Sequence, residues 1–333
     1  MEFFVSWYHG DACYPVYDNH CSLLVSITSV PFDWTVQSLL QPPRRLLIDS
    51  GAFHLVTASS ISPRLLADNG MYDEKGATLK AGAQSIEEKI SQLSPKKVLE
   101  RQLSILGEEQ IPTIVCALDY PILDPHLSLQ EKSKCITQTI AFAWEFKHLL
   151  EERRMSSHVT PMAIIQGYDI DTLKWCAHEL AAIDFPLYGL GSLAPLKRHE
   201  PIMERVRAVA SIIEPERLHI FGVSAIQTIL ALKEMGIHSF DSARPAKAAA
   251  YNEIFYSHPF RRFGILEPSS EGSKLKGRIP RVNRLTEPLK CQCPICVEHP
   301  ESILVVGKRA NIKARGVHNY YHLKRVLCDA PIC

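Results

Sequence analysis

The chain has 333 residues, 46% of them hydrophobic and 22% charged. These are the proportions of a globular protein with a sizeable core, and the length suits one large barrel or two ordinary domains. A net charge of +1 hides an uneven distribution: 14 Lys and Arg stand against 6 Asp and Glu from Ser257 onward, and 23 against 30 before it. An acidic body with a basic tail suggests a polyanionic partner for the tail. No run of about 18 apolar residues is present to span a membrane. The opening Met-Glu-Phe-Phe lacks the basic and apolar regions of a secretory signal. The expected compartment is therefore cytoplasmic, and the ten cysteines are expected to be reduced.

In chain order, residues Met1 to Asn19 are aromatic and irregular, and no element is assigned there. Cys21 to Ile27 reads as a buried strand, and a loop with Pro31, Pro42 and Pro43 follows. Arg45 to Phe53 is a short apolar run ending in a polar cluster. Ser85 to Leu106 has helical periodicity, with Ile86, Ile90, Leu93, Val98, Leu99, Leu103 and Leu106 apolar. Regular alternation follows. Strands are expected at Ile111 to Asp119, Pro161 to Gly167, Pro186 to Leu193, Leu218 to Val223 and His238 to Ser242. The helices between them are Leu129 to Arg153, Asp171 to Ile183 with Asp171 as N-cap, Pro201 to Ile213 and Ala225 to Met235. Short apolar strands alternating with helices imply a parallel sheet buried on both faces. Six or seven such units favour a closed (β/α)8 TIM barrel over an open doubly wound sheet. No G-x-G-x-x-G opens the first unit, which counts against a dinucleotide fold. Cys116, Cys135 and Cys176 sit in apolar patterns and are assigned to the core. The expected division is a barrel over residues 1–265, with 1–20 irregular, and a basic metal-binding subdomain over 266–333, packed on the barrel.

Polar residues fall at the ends of the expected strands. Asp49, Asp119, Gln166, Gly191 with Ser192, Gly222 and Asp241 each close an apolar run. In a barrel the C-terminal strand ends converge on one face, where active sites sit. Two carboxylates facing one pocket suggest a double displacement at a sugar carbon, one as nucleophile and the other as acid/base. The remaining Asp and Gln can hydrogen-bond a heterocycle that offers donor and acceptor edges. Near the end of the chain, Cys291, Cys293 and Cys296 lie within six residues, and His318 and His322 follow one helical turn apart. Three thiolates and an imidazole make a closed tetrahedral set, for which zinc is the default metal. On spacing alone His318, His322, Cys328 or Cys333 could complete it.

With these residues in view, the sequence resembles the tRNA-guanine transglycosylase superfamily from about Leu46 to Leu327. The family's D-S-G-G-F-Q reads D-S-G-A-F-H from Asp49, and its F-D-E-C segment reads L-D-Y-P around Asp119. V-Q-G-G reads I-Q-G-Y with Gln166 and Gly167, G-G-L-A reads G-S-L-A from Gly191, and L-M-G-V-G reads I-F-G-V-S. F-D-C-V-x-P-T-R reads F-D-S-A-R-P-A-K with Asp241, and C-x-C-x-x-C with a later His-Asn matches Cys291, Cys293, Cys296 and His318-Asn319. The resemblance implies that His318 closes a structural zinc site. It implies that Asp241 attacks C1′ of a guanosine nucleotide and that Asp49 is the general acid/base. Ser50, Phe53, Asp119, Gln166, Gly167, Gly191, Ser192 and Gly222 would then contact the base. Arg244, Lys247, Arg278 and Arg281 are assigned to the nucleic acid. The segment after the nucleophile departs from the tRNA enzymes, reading A-K-A-A-A over Ala246 to Ala250. That departure looks more like the transglycosylases of phages and bacterial modification islands that place a 7-deazaguanine such as preQ0 in DNA. DNA is accordingly the expected polymer and tRNA the alternative. A free 7-deazapurine is the expected second substrate, in a bacterial or phage-infected host cytoplasm. A non-catalytic accessory subunit is a third possibility, and a homodimer is consistent with the family.

Overall fold

A computed structural model describes residues 1–53, 94–122, 126–153, 155–193, 196, 198–265, 282–306 and 308–327. By internal contacts the chain divides into two compact units, Met1–His9 with His20–Asp241, and Gly10–Asn19 with Ser242–Cys333.

The first unit is a closed barrel of eight parallel strands in sequence order. These are β1 (Glu2–Trp7), β2 (Ser22–Ser26), β3 (Arg45–Asp49), β4 (Thr113–Cys116), β5 (Val159–Ile165), β6 (Leu187–Leu190), β7 (Leu218–Ile220) and β8 (Ser239–Ser242). A four-residue helix, α1 (Tyr14–Tyr17), belongs to the second unit. The barrel's helices are α2 (Pro95–Leu106), α3 (Leu129–Arg153), α4 (Ile170–Ile183), α5 (His199–Ala210) and α6 (Ile226–Glu234).

The TIM-barrel expectation holds, and the ring has one more strand than the sequence pattern displayed. The segment read as irregular contains β1, whose burial is nearly complete from Phe3 to Trp7. Parallel barrel strands are covered on both faces, so they lack the apolar–polar alternation that marks a half-exposed strand. Two further corrections are local. Helix α4 is capped by Asp169, not Asp171: the Asp169 carboxylate accepts the Thr172 N–H at 2.8 Å in a capping box. Asp171 lies in the first turn, where a carboxylate complements the helix dipole. The expected helix from Ser85 is described from Pro95, with Ser94 as N-cap, and its 85–93 portion lies outside the described residues.

The period-2 geometry of strands decides what fills the barrel. Phe4, Leu24, Leu47, Ile114, Cys116, Met162, Ile164 and Leu187 form one interior cluster, with Phe221 packed against it. Two residues further along β1, β3 and β5 on the same face are Ser6, Asp49 and Gln166. The polar residues are thus the last interior layer of an apolar core. Cys116, Cys135 and Cys176 are all fully buried, as expected of core thiols.

In the second unit β9 (Glu253–Tyr256) and β10 (Arg261–Gly264) form an antiparallel pair. Helices α7 (Arg244–Ala250), α8 (Pro294–Glu298) and α9 (Arg309–Leu327) accompany it. Arg315 is completely buried in this unit. Its guanidinium donates to the carbonyls of Ala249, Ile303 and Val305 and to Asn252 Oδ1. Among the described residues no helix is long and apolar enough to cross a membrane.

Candidate active site and metal centre

Two hydrogen-bonded groups form at the C-terminal ends of the barrel strands. The first is a chain of polar side chains across β3 to β6. Ser50 Oγ donates to Asp119 Oδ1 at 3.2 Å, and Gln166 Nε2 donates to Asp119 Oδ2 at 2.5 Å. Ser192 donates its hydroxyl to Gln166 Oε1 and accepts the Gly167 N–H at 3.3 Å. Ser192 is held at φ 57°, in the left-handed region. Gly191 supplies space: a Cβ there would meet the carboxamide of Gln166, 2.9 Å from Cδ. Asp49 accepts the Gly51 N–H at 3.2 Å. Burial, and then the charge of Asp49, push the Asp119 carboxyl from 3.8 up to about 7, against the lowering effect of the Gln166 and Ser50 hydrogen bonds.

The second group surrounds Asp241, which is 6% exposed. Ser6 Oγ donates to Oδ2 at 2.6 Å, and the Gly222 N–H donates to Oδ1 at 2.7 Å. Gly222 has φ 70°, a conformation glycine adopts without steric penalty. The buried His219 places Nε2 3.6 Å from the same Oδ1.

Cys116 joins the two groups electrostatically. Its thiol is raised well above the ordinary range by burial first, then by Asp49, Asp119 and Asp241. These carboxylates lie at the end of β3, in the segment after β4, and in β8.

The structure thus brings together Asp49, Ser50, Asp119, Gln166, Gly167, Gly191, Ser192, Gly222 and Asp241. Phe53, which follows β3, is 45% exposed. Sequence reasoning missed Ser6, His219 and Arg205. Arg205 donates to the Gly167, Tyr168 and Ser192 carbonyls, tying together the loops after β5 and β6. Ser6 was hidden in the aromatic N-terminus, and His219 interrupts an apolar run, which was the available signal.

In the second unit, Cys291, Cys293, Cys296 and His318 place one ligand atom each within 4.8 Å of the others. His318 Nδ1 lies 3.3 Å from the sulfurs of Cys293 and Cys296 and 3.8 Å from that of Cys291. Tetrahedral zinc with bonds of 2.0–2.3 Å needs ligand separations of about 3.5–3.8 Å. The donor set and its spacing fit a metal ion of the zinc type. The other ring nitrogen of His318 is 2.8 Å from the Phe255 carbonyl, which accepts its proton and leaves Nδ1 for the metal. His322 is beside this set but not one of its four ligands: its ring centroid is 4.5 Å from that of His318, and its Nδ1 accepts the Ser257 N–H at 3.0 Å. Cys328 and Cys333 lie outside the described residues. Of the residues assigned to nucleic acid, Lys247 is exposed. Arg244 pairs with the buried carboxylate of Glu253 at 3.1 Å, and Arg262 pairs with the same carboxylate. Arg278 and Arg281 lie outside the described residues.

A closed parallel barrel with carboxylates at its C-terminal strand ends, in a chain that also carries a Cys₃His set of the right spacing for a metal ion, has the features of a class of barrel enzymes. The family model described as queuine tRNA-ribosyltransferase matches residues 32–330, and the chain belongs to that family. It is 27% identical over 187 residues to a tRNA-guanine(15) transglycosylase of Methanopyrus kandleri, covering 54% of this chain and 36% of the relative. It is 23% identical over 216 residues to a queuine tRNA-ribosyltransferase of Desulforapulum autotrophicum, covering 64% and 53%. A Streptococcus pneumoniae queuine tRNA-ribosyltransferase is 26% identical over 212 residues, covering 61% and 49%. The chain thus spans about a third to half the length of these curated relatives.

Proposed function

We propose that the protein is a guanine transglycosylase that exchanges a guanine in a nucleic acid for a free purine-type base. The observation that carries this reading is that Asp49, Asp119 and Asp241 all lie at the C-terminal strand ends of one closed parallel barrel, with a donor–acceptor chain at Asp119. Asp241 attacks C1′ of the target nucleotide and forms a glycosyl-enzyme while guanine leaves. Asp49 gives a proton to the departing base and takes one from the incoming base. Attack of that base on C1′ regenerates the Asp241 carboxylate, and two displacements retain configuration. Asp119, Gln166 and the Gly191–Ser192 segment read the purine edge. The target base leaves the stack to reach the barrel mouth.

The polymer we favour is tRNA. The relatives are named for activity on tRNA, which supports this over DNA, the polymer suggested by the altered A-K-A-A-A segment. A 7-deazaguanine remains the base class we assign to the second substrate. Zinc is the metal we assign to Cys291, Cys293, Cys296 and His318; with all four positions filled by protein, its role is structural.

The test is incorporation of labelled guanine into bulk tRNA and duplex DNA side by side, with wild type and Asp241→Ala. Label in tRNA, lost in the variant, is the expected result. Label in DNA alone would overturn the choice of polymer. Turnover retained by Asp241→Ala would overturn the nucleophile.

A further inference from the structure

Ser6 and Asp241 are 235 residues apart in sequence, yet the serine hydroxyl lies 2.6 Å from Oδ2 in a buried site. The strand pattern explains why. Phe4 and Ser6 share the interior face of β1, whereas Phe3 faces the other way and stacks on Phe240 at 5.0 Å. Ser239 and Asp241 share the interior face of β8. His219, on β7, is fully buried between Phe4 and Phe221, with ring centroids 5.9 and 4.5 Å away. Its Nδ1 is 2.9 Å from Ser239 Oγ. Its Nε2 is a buried nitrogen with no hydrogen-bond partner, and Asp241 Oδ1 lies 3.6 Å from it.

The geometry around His219 selects one tautomer. An unprotonated Nε2 would direct its lone pair at a carboxylate oxygen. A protonated Nε2 directs its N–H there, while Nδ1 accepts the Ser239 hydroxyl proton. A polar histidine buried without a full set of partners has a desolvation cost that packing alone does not explain.

We infer that Ser6 and His219 are positioning residues that fix the rotation of the Asp241 carboxyl group, Ser6 through Oδ2 and His219 from the side of Oδ1. The Gly222 N–H binds Oδ1 as well, so neither oxygen turns freely. A nucleophilic carboxylate must present one lone pair along the line to the reacting carbon, and a small misorientation costs rate more than binding. The inference rests on the reading of Asp241 as nucleophile.

The experiment uses Ser6→Ala, Ser6→Thr, His219→Phe and His219→Gln in the full chain, with Asp241→Ala as reference. The readouts are steady-state base exchange and melting temperature. Ser6→Ala is expected to lower kcat about tenfold to a hundredfold, the worth of one hydrogen bond to a charged group, with KM for guanine unchanged. Ser6→Thr, which keeps the hydroxyl, is expected to restore most of kcat. His219→Phe fills the ring volume without a donor and is expected to lower kcat about tenfold, with His219→Gln intermediate. Unchanged kcat in both Ser6→Ala and His219→Phe would overturn the inference while leaving the nucleophile in place. So would losses that follow melting temperature, or a rise in KM alone. Turnover in Asp241→Ala would remove the nucleophile assignment instead, and with it the need for a positioned carboxyl.

Discussion

Replacing Asp119 with Asn should make the protein more stable and less active at neutral pH. The carboxyl is 5% exposed, and its affinity for the proton rises from 3.8 to about 7 on folding, mainly through burial. Between these values the folded state holds a proton that the unfolded chain has released. Unfolding free energy therefore falls as pH rises through this window, the reverse of the usual acid–carboxylate case. At 1.36 kcal/mol per pH unit, the interval corresponds to roughly 4 kcal/mol lost between about pH 4 and pH 7. Asn has no charge to desolvate, but its amide faces a donor from Ser50 or Gln166, which costs about 1 kcal/mol. Asp119→Asn is thus expected to be about 2–3 kcal/mol more stable than wild type at pH 8, and no more stable at pH 4. Urea unfolding of both proteins from pH 4 to 8 measures this, because other titrating groups cancel in the difference. Wild-type exchange should run the opposite way, rising as Asp119 ionises near pH 7, because in the proposed mechanism the carboxylate accepts from the purine N–H edge. Parallel stability curves for the two proteins would refute the reasoning.

Other expectations concern single contacts. His318→Ala should lose bound metal, while His322→Ala should keep it; metal content after dialysis decides between the two rings. Gly191→Ala places a methyl against the Gln166 carboxamide and should raise KM for guanine at least tenfold with little change in melting temperature. Arg315→Lys should lower stability by about 2–4 kcal/mol, because one ammonium cannot reach the carbonyls and Asn252 that the planar guanidinium serves. Thermal or urea unfolding reads this directly.

The barrel and the main polar residues were legible because strand ends carry their own signature. Each run from β3 to β8 is closed by an Asp, Gln or Gly, and parallel closure gathers those stops on one face. The Cys-x-Cys-x-x-Cys run and a downstream His were legible for a similar reason, since ligand chemistry restricts residue type and spacing. What stayed hidden depended on three-dimensional neighbours. The choice of His318 over His322 depends on which ring nitrogen lies within reach of all three sulfurs, and both residues lie on one buried helix face. Strand β1 was unreadable because its neighbours bury both faces. Ser6 looked unremarkable until ring closure set it against Asp241. Arg244 read as a cation for phosphate, yet the buried Glu253 engages it, a partner nine residues away across a turn.

Closure of the ring between β1 and β8 also orders events in time. The contact between Ser6 and Asp241 spans 235 residues, about seven times the mean separation between paired residues of neighbouring strands elsewhere in the ring. By loop-closure entropy it costs about 2 kcal/mol more than one local return. During synthesis β1 emerges first and must wait for β8, so the nascent barrel passes through an open sheet with two unpaired edges. The hydrogen bond to the candidate nucleophile forms only when those edges meet. An incomplete chain can therefore hold much of the sheet without holding that contact.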